Sequence, residues 1–280
     1  MRPRRVNLGG RFAVEEGPPQ DPARLLRLIT YNVRRCLGTD GRLSPARIAE
    51  VLAHCRPDVV ALQELDVGRE RSGMVDQAHA IAGHLGMKAH FHASLQVMEE
   101  QYGNAILTAL PSRLVRAEAL PGLAHRPHLE PRGALWAAVT HAGEEVQIIN
   151  THLGLRARER AAQVEALLGP RFLGDPACRA PLVLVGDFNA VSRSRAYRLI
   201  AARLQDAQRI PGHRSHCTFP SRWPFLRLDH VFVSAGIAVR RVQALRGPLA
   251  RIASDHLPLL VDLDLVATEA GRPAARVEAA

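Results

Sequence analysis

Aromatic residues are scarce in this 280-residue chain: Phe, Trp and Tyr together make up 4%. So small a supply argues against a surface built to stack successive bases of a nucleic-acid strand. Lysine is scarcer still. Of 37 basic residues only Lys88 is a lysine, and the rest are arginines. Cysteine is limited to Cys36, Cys55, Cys178 and Cys217. No two of them have the spacing of a zinc or redox motif, which excludes a disulfide scaffold and leads us to expect buried, reduced thiols in a cytoplasmic protein. His213, His216 and Cys217 in PGHRSHCTFP lack a second pair nearby that would complete a metal clip, so the stretch reads as a polar loop. No apolar run reaches the roughly 18–20 residues that span a bilayer. Nor is there a long apolar hairpin of the kind that dips into a membrane. The opening MRPRRVNLGGRFAVEEGPPQDP is without the apolar core of a secretory signal, and Glu15, Glu16 and Asp21 speak against a transit peptide.

Apolar residues make up 47% of the chain and charged residues 23%, enough for a sizeable core in a globular domain. The formal net charge of +10 invites a nucleic-acid reading. The arginine skew and the abundance of alanine point instead to a compositional bias, and the basic residues fall throughout the chain. A positive field still favours anionic substrates. Residues 1–22, rich in Pro, Gly and charge, read as a flexible arm and 268–280 as a loose tail. No internal repeat or linker divides the remainder, so one domain is expected over 23–267.

Along that domain, strands and helices alternate. RLLRLITYNV, DVVALQE, AILTALP, ALWAAVTH, VQIINTHL, PLVLVGD, LRLDHVFVS, IAVRRVQAL and LPLLVDLDL read as strands, with AGEE (142–145) turning a hairpin. SPARIAEVLAHC, with a Ser cap and Pro in its first turn, reads as a helix. So do DQAHAIAGHLG, GLRARERAAQVEALLG and RAYRLIAARL. Hairpins mixed with helical crossovers predict an α/β fold whose mixed sheets lie between helices.

The polar residues at the ends of these strands carry the chemistry. LITYNV ends near Asn32, VVALQE at Glu64, VQIINTH at His152 and LVLVGDFN at Asp187 and Asn189. RLDHVFVS carries Asp229, and SDHLPLLV carries Asp255 and His256. Singly, each has an ordinary explanation as a cap, a turn or a surface acid. Together they set four carboxylates beside residues that should be buried, where an unpaired charge costs several kcal/mol. A shared cation would resolve this, and hard oxygen donors suit Mg²⁺ or Mn²⁺ better than zinc.

Taken in order, TYN, LQE, YGNAIL, NTHLG, GDFNA, LDHVFVS and SDHLPL closely resemble the endonuclease/exonuclease/phosphatase superfamily over nearly all of 26–265. Its members include DNase I-like nucleases, apurinic-site endonucleases, neutral sphingomyelinases, inositol polyphosphate phosphatases, deadenylases and tyrosyl-DNA phosphodiesterases. The resemblance implies a four-layered α/β/β/α sandwich with two mixed sheets. It implies that Glu64 is the principal Mg²⁺ ligand (Mn²⁺ being an alternative), with Asn32 beside it and Asp255 as a further metal-site acid. Asp187 resembles the residue that orients or deprotonates the attacking water, and Asn189 one that holds the water or phosphoryl oxygens. His152 and His256 resemble the two histidines flanking the scissile phosphate, with Asp229 orienting His256. Asn104 either reaches substrate or closes a turn. Arg132 either clamps a phosphate or is a solvated arginine.

NTHLG departs from the apurinic-endonuclease pattern and is nearer to the DNase I, sphingomyelinase and phosphatase branches. RSG…DQ, YGNAILTALP, EPRGAL and NTHLGL resemble a bacterial branch of metal-dependent hydrolases. The expectation is thus a Mg²⁺-dependent phosphodiesterase or phosphatase acting on a phospholipid headgroup, a small phosphodiester or a nucleic acid, with no protein partner evident. Two alternatives are a sequence-independent DNase I-like nuclease and a non-catalytic binding module of the same fold. Within LVLVGDFNA, Asn189 should face the same side as Asp187 if the extended conformation persists.

Overall fold

In a computed structural model of the protein, the structure describes residues 24–210, 212 and 215–265. The expected arm (1–22) and tail (268–280), as well as His213, lie outside the described residues.

The chain runs β1 (Leu25–Asn32), α1 (Pro45–Ala53), β2 (Val59–Val67), α2 (Gln77–Leu85), β3 (Lys88–Val97), β4 (Glu100–Thr108), β5 (Ser112–Leu120), β6 (Arg132–His141), β7 (Glu144–His152), α3 (Ala157–Leu168), β8 (Leu182–Asp187), α4 (Arg195–Ala201), β9 (Gln205–Asp206), β10 (Asp229–Val233), β11 (Ile237–Ala244), α5 (Pro248–Ala253) and β12 (Leu259–Leu265). Two six-stranded sheets result, ordered β11-β12-β1-β2-β4-β3 and β5-β6-β7-β8-β10-β9. Each has one parallel pair at its centre, β1 with β2 and β7 with β8, flanked by antiparallel neighbours. This is the expected α/β/β/α sandwich with mixed sheets.

The layering follows from the alternation of side chains along a strand. On β1, Leu26 and Leu28 enter the core between the sheets, while Ile29 and Tyr31 pack with Ile48, Leu52 and Ile81 of α1 and α2. On β8, Val183 and Val185 face the other sheet, while Leu182 and Leu184 meet Val164 and Leu167 of α3. Both faces are covered, so these strands read as continuous apolar runs. Local caps set the helix starts: Ser44 Oγ accepts from Arg47 N and the Asp76 carboxylate from His79 N. The AGEE turn joins β6 to β7 as expected, with Ala142 and Gly143 at positive φ.

Polar links tie the two sheets together near their shared end. The Asn150 amide on β7 donates to the carbonyls of Leu62 and Ala105, both 2.9 Å, and its Oδ1 accepts from Gln63 Nε2 at 2.8 Å. All of these residues are fully buried. Asn150→Leu therefore removes the side-chain donor from two carbonyls, while Gln63 Nε2 keeps Thr30 Oγ1 and the Ala61 carbonyl. The expected loss is about 3 kcal/mol in urea unfolding, and a loss under half of that would mean the sheets repack without this link.

Candidate functional site

The parallel pairs aim their C-terminal ends at one end of the sandwich, and the antiparallel neighbours begin there. One row of the second sheet carries the chemistry. His152, Asp187 and Asp229 stand directly beside one another on β7, β8 and β10. Gly186 makes this row possible. Its φ is +143°, and a Cβ there would lie 1.9 Å from the Thr151 carbonyl oxygen on β7. Only glycine lets the two strands close at that point.

Asp187 is buried at the centre. Its Oδ2 accepts from Asn32 Nδ2 at 3.0 Å, and its Oδ1 accepts from the Asn189 backbone N–H at 2.8 Å. Burial, opposed by the nearby His256 charge and assisted by Asp229, raises its carboxyl to about 6. The extended conformation does not persist to Asn189, which sits at φ +46°. The turn closed by its N–H on Asp187 still brings its amide to the site. Asn189 Nδ2 donates to the Leu153 carbonyl at 2.9 Å and lies 3.1 Å from His152 Nε2.

The facing sheet supplies Asn32, at the end of β1, and Glu64. Asn32 Nδ2 donates to Glu64 Oε1 at 2.9 Å, so one amide serves two acids. Glu64 is not at a strand end. β2 continues to Val67, and the pairing with β4 slips between Leu62 and Leu65. At this bulge Glu64 adopts φ +61°, left-handed and costly for a non-glycine residue, and the distortion aims its carboxylate into the site.

The two histidines differ in charge. Arg132 Nη1 lies 3.1 Å from His152 Nδ1. A guanidinium only donates, so Nδ1 accepts from Arg132, while the Asn189 amide, also a donor, faces Nε2. Nε2 faces Asp187 Oδ2 at 3.5 Å and Glu64 Oε1 at 4.0 Å. Burial, with the Arg132 and His256 charges, pushes this imidazole well below its ordinary range, so it is neutral. His256 behaves oppositely. Burial alone would lower it, but Asp229 and Asp187 together outweigh that and raise it to about 10. Its Nδ1 donates to Asp229 Oδ2 at 2.9 Å, and its Nε2 faces Asp187 Oδ2 at 3.6 Å. His256 is thus an imidazolium held by a carboxylate, and Phe219 packs on its ring, with centroids 4.9 Å apart.

The other expected residues are placed as follows. Asp255 sits at the mouth, partly exposed, with Oδ2 3.4 Å from Arg34 Nε. Arg132 is neither solvated nor free. It is buried, and its Nη1 donates to Glu130 Oε1 at 2.5 Å while touching His152. Asn104 closes no turn. It lies within β4 and donates to the Gly133 carbonyl at 3.2 Å. Four further groups carry no strand-end signature in the sequence. Arg34 meets Asp255. Thr218 Oγ1 donates to Asp229 Oδ2 at 2.5 Å. Arg227 and His230 form a buried cluster with Asp206 behind the Asp229 strand. The only sequence cue to these is position: Arg34 follows TYN, and Arg227 and His230 flank LD.

The donor set fits a divalent cation. Glu64, Asp187 and Asp229 place three carboxylates near the single positive charge of His256. Asp229 Oδ1 is buried with no hydrogen-bond partner among the described residues. Carboxylate oxygens of Asp187 and Asp229 that could ligate a cation lie within 4.8 Å of each other. Excess buried negative charge on hard oxygens is what a divalent cation offsets.

A protein of Escherichia coli K12, the uncharacterized protein YbhP, is 29% identical over 173 residues, which span 60% of this chain and 64% of that relative. The match thus covers less than two thirds of the relative's length. An endonuclease/exonuclease/phosphatase structure from Beutenbergia cavernae superposes with a TM-score of 0.69 at 24% identity, covering 87% of this chain and 72% of that one. The mannosyl-6-phosphatase Bt3783 of Bacteroides thetaiotaomicron gives 0.69 at 20% identity, covering 85% and 99%. The model of the Endonuclease/Exonuclease/phosphatase family matches residues 29–256. The chain belongs to that family.

Proposed function

We propose that the protein is a Mg²⁺-dependent phosphodiesterase in which Asp187 directs and deprotonates the attacking water. The observation that carries this reading is the row His152–Asp187–Asp229, met from the facing sheet by Asn32 and Glu64. Asn32, Glu64 and, at the mouth, Asp255 are assigned to hold Mg²⁺, or Mn²⁺ in its place. When bound, the cation neutralises charge that builds on the non-bridging oxygens.

The remaining work falls to the side chains. Asp187, fixed by the Asn32 amide and the Asn189 N–H, accepts the proton of the water. Asn189 and the neutral His152 stand together beside the phosphoryl oxygens. Arg132, locked by Glu130, holds the His152 ring through Nδ1, so we assign it a positioning role in place of a phosphate clamp. His256, held by Asp229, presents a positive Nε2–H to the same charge and is the proton source for the leaving oxygen. Asn104 ties β4 to β6 beside the site. A sequence-independent nuclease is favoured by the net charge of +10. A non-catalytic module is disfavoured, because every expected polar position is filled.

Purified protein should hydrolyse bis-p-nitrophenyl phosphate with Mg²⁺ and stop on chelation. Activity that is indifferent to chelator would remove the metal from the mechanism. Glu64→Gln should weaken Mg²⁺ binding in calorimetry by about tenfold or more. Unchanged affinity would take Glu64 out of the ligand set.

A further inference from the structure

The loops at the catalytic end are 33–44, 68–76, 98–99, 121–131, 153–156, 188–194, 207–210, 215–228 and 245–258. Of the ten large apolar side chains left exposed among the described residues, all but Leu114 lie on these loops or on the strand end that feeds one. They include Met74, Met98, Leu155, Val191, Trp223 and Phe225. The loops at the opposite end carry none of them. A soluble surface scatters such residues singly, whereas concentration around one site marks a contact. Trp223 is 82% exposed and Phe225 68%, yet their loop is firmly rooted. Phe219 and Leu226 bridge its base, and Ser221 N–H donates to the Asp255 carbonyl at 2.7 Å. The aromatic tip is therefore held out on a loop whose base, at Phe219, packs on His256.

Charge accompanies these apolar tips. Arg156 follows Leu155, Arg193 lies two residues after Val191, and Arg222 precedes Trp223. All three arginines are exposed, and among the described residues none has an acidic partner. Apolar groups that enter an acyl layer, ringed by guanidinium groups at headgroup level, suit an anionic bilayer. A nucleic acid would use the arginines but has no use for Met, Leu and Val, which offer no face for stacking.

We propose that this end of the sandwich docks on an anionic phospholipid bilayer, and that the scissile phosphoester is carried by a lipid. The proposal rests on the hydrolase reading above and names its substrate class. No helix among the described residues is long and apolar enough to cross a membrane.

The test uses the whole protein and vesicles of phosphatidylcholine with one-quarter phosphatidylglycerol. Wild-type protein should sediment with these vesicles, and less with pure phosphatidylcholine. Its emission should shift to the blue, because Trp223 is exposed while the other tryptophan, Trp136, is already buried. Trp223→Ser combined with Phe225→Ser should reduce partition about tenfold. Wild-type protein that neither sediments nor shifts overturns the proposal without any variant, as does a double variant that partitions normally or a protein that retains only plasmid DNA. Hydrolysis of the vesicle lipid should exceed that of its water-soluble headgroup diester, and equal rates overturn the lipid substrate. A protein that docks but hydrolyses no phosphoester refutes the catalytic reading and leaves docking standing. One that cleaves soluble diester and ignores vesicles does the reverse.

Discussion

Asp187→Asn should lower kcat for bis-p-nitrophenyl phosphate with Mg²⁺ by about a hundred- to ten-thousand-fold, the usual worth of a positioned general base. The amide keeps the shape of the site. Its oxygen still accepts from Asn32 Nδ2 or from the Asn189 N–H, the two bonds that fix the carboxylate. What is lost is basicity and charge. Stability should change little, for a reason that can be signed. The folded carboxyl lies near 6, above its ordinary 3.8. The folded state therefore holds this proton more tightly than the unfolded chain does, and stability drawn from it is lost as pH rises through 6. At pH 7 the ionised Asp187 is a cost that an amide does not carry. A cooperative melt within a few degrees of wild type, with activity gone, is the expected pair of results. Near wild-type turnover would remove Asp187 from the chemistry.

Gly186→Ala should have the larger effect on the fold. The new Cβ meets the Thr151 carbonyl oxygen at 1.9 Å and the carbonyl carbon at 2.9 Å, both backbone atoms of the adjacent strand. The residue must also keep φ +143°, which an L side chain rarely adopts. Strain and overpacking together should cost about 4 kcal/mol. For a domain of this size that lowers Tm by roughly 10 °C. The β7–β8 gap that would have to open is the one that sets His152 beside Asp187, so activity should fall in the molecules that still fold. A loss below about 1 kcal/mol, within the range of ordinary surface changes, would show that the strands splay freely.

The sandwich was legible where strands are buried on both faces. LITYNV, VVALQE and LVLVGD are apolar runs because a helix layer and the second sheet cover them. β3 and β5 escaped notice for the opposite reason. They are edge strands, half-exposed and interrupted by Lys88, Arg113, Arg116 and Glu118, as edges that resist pairing tend to be. The polar residues at strand ends were legible because a buried acid is unusual. Their supports were not. Thr218, Gln63 and Asn150 act through contacts made only after long-range folding, and nothing local in CTFP or IINTH marks them. The Glu64 bulge and the Asn189 turn likewise bend the chain where the sequence reads as extended. The apolar rim was the least legible feature. Its members are single residues on separate loops, and they form a set only when the topology gathers those loops at one end.

The order of strands bears on when the site can exist. β12 lies beside β1, so the first sheet takes its middle from both extremities of the described chain while the second sheet is a continuous stretch between them. Asn32 and Glu64 are made early, and Asp255 and His256 arrive just ahead of β12. The site we propose is therefore complete in a nascent chain only after residues 259–265 have closed against β1.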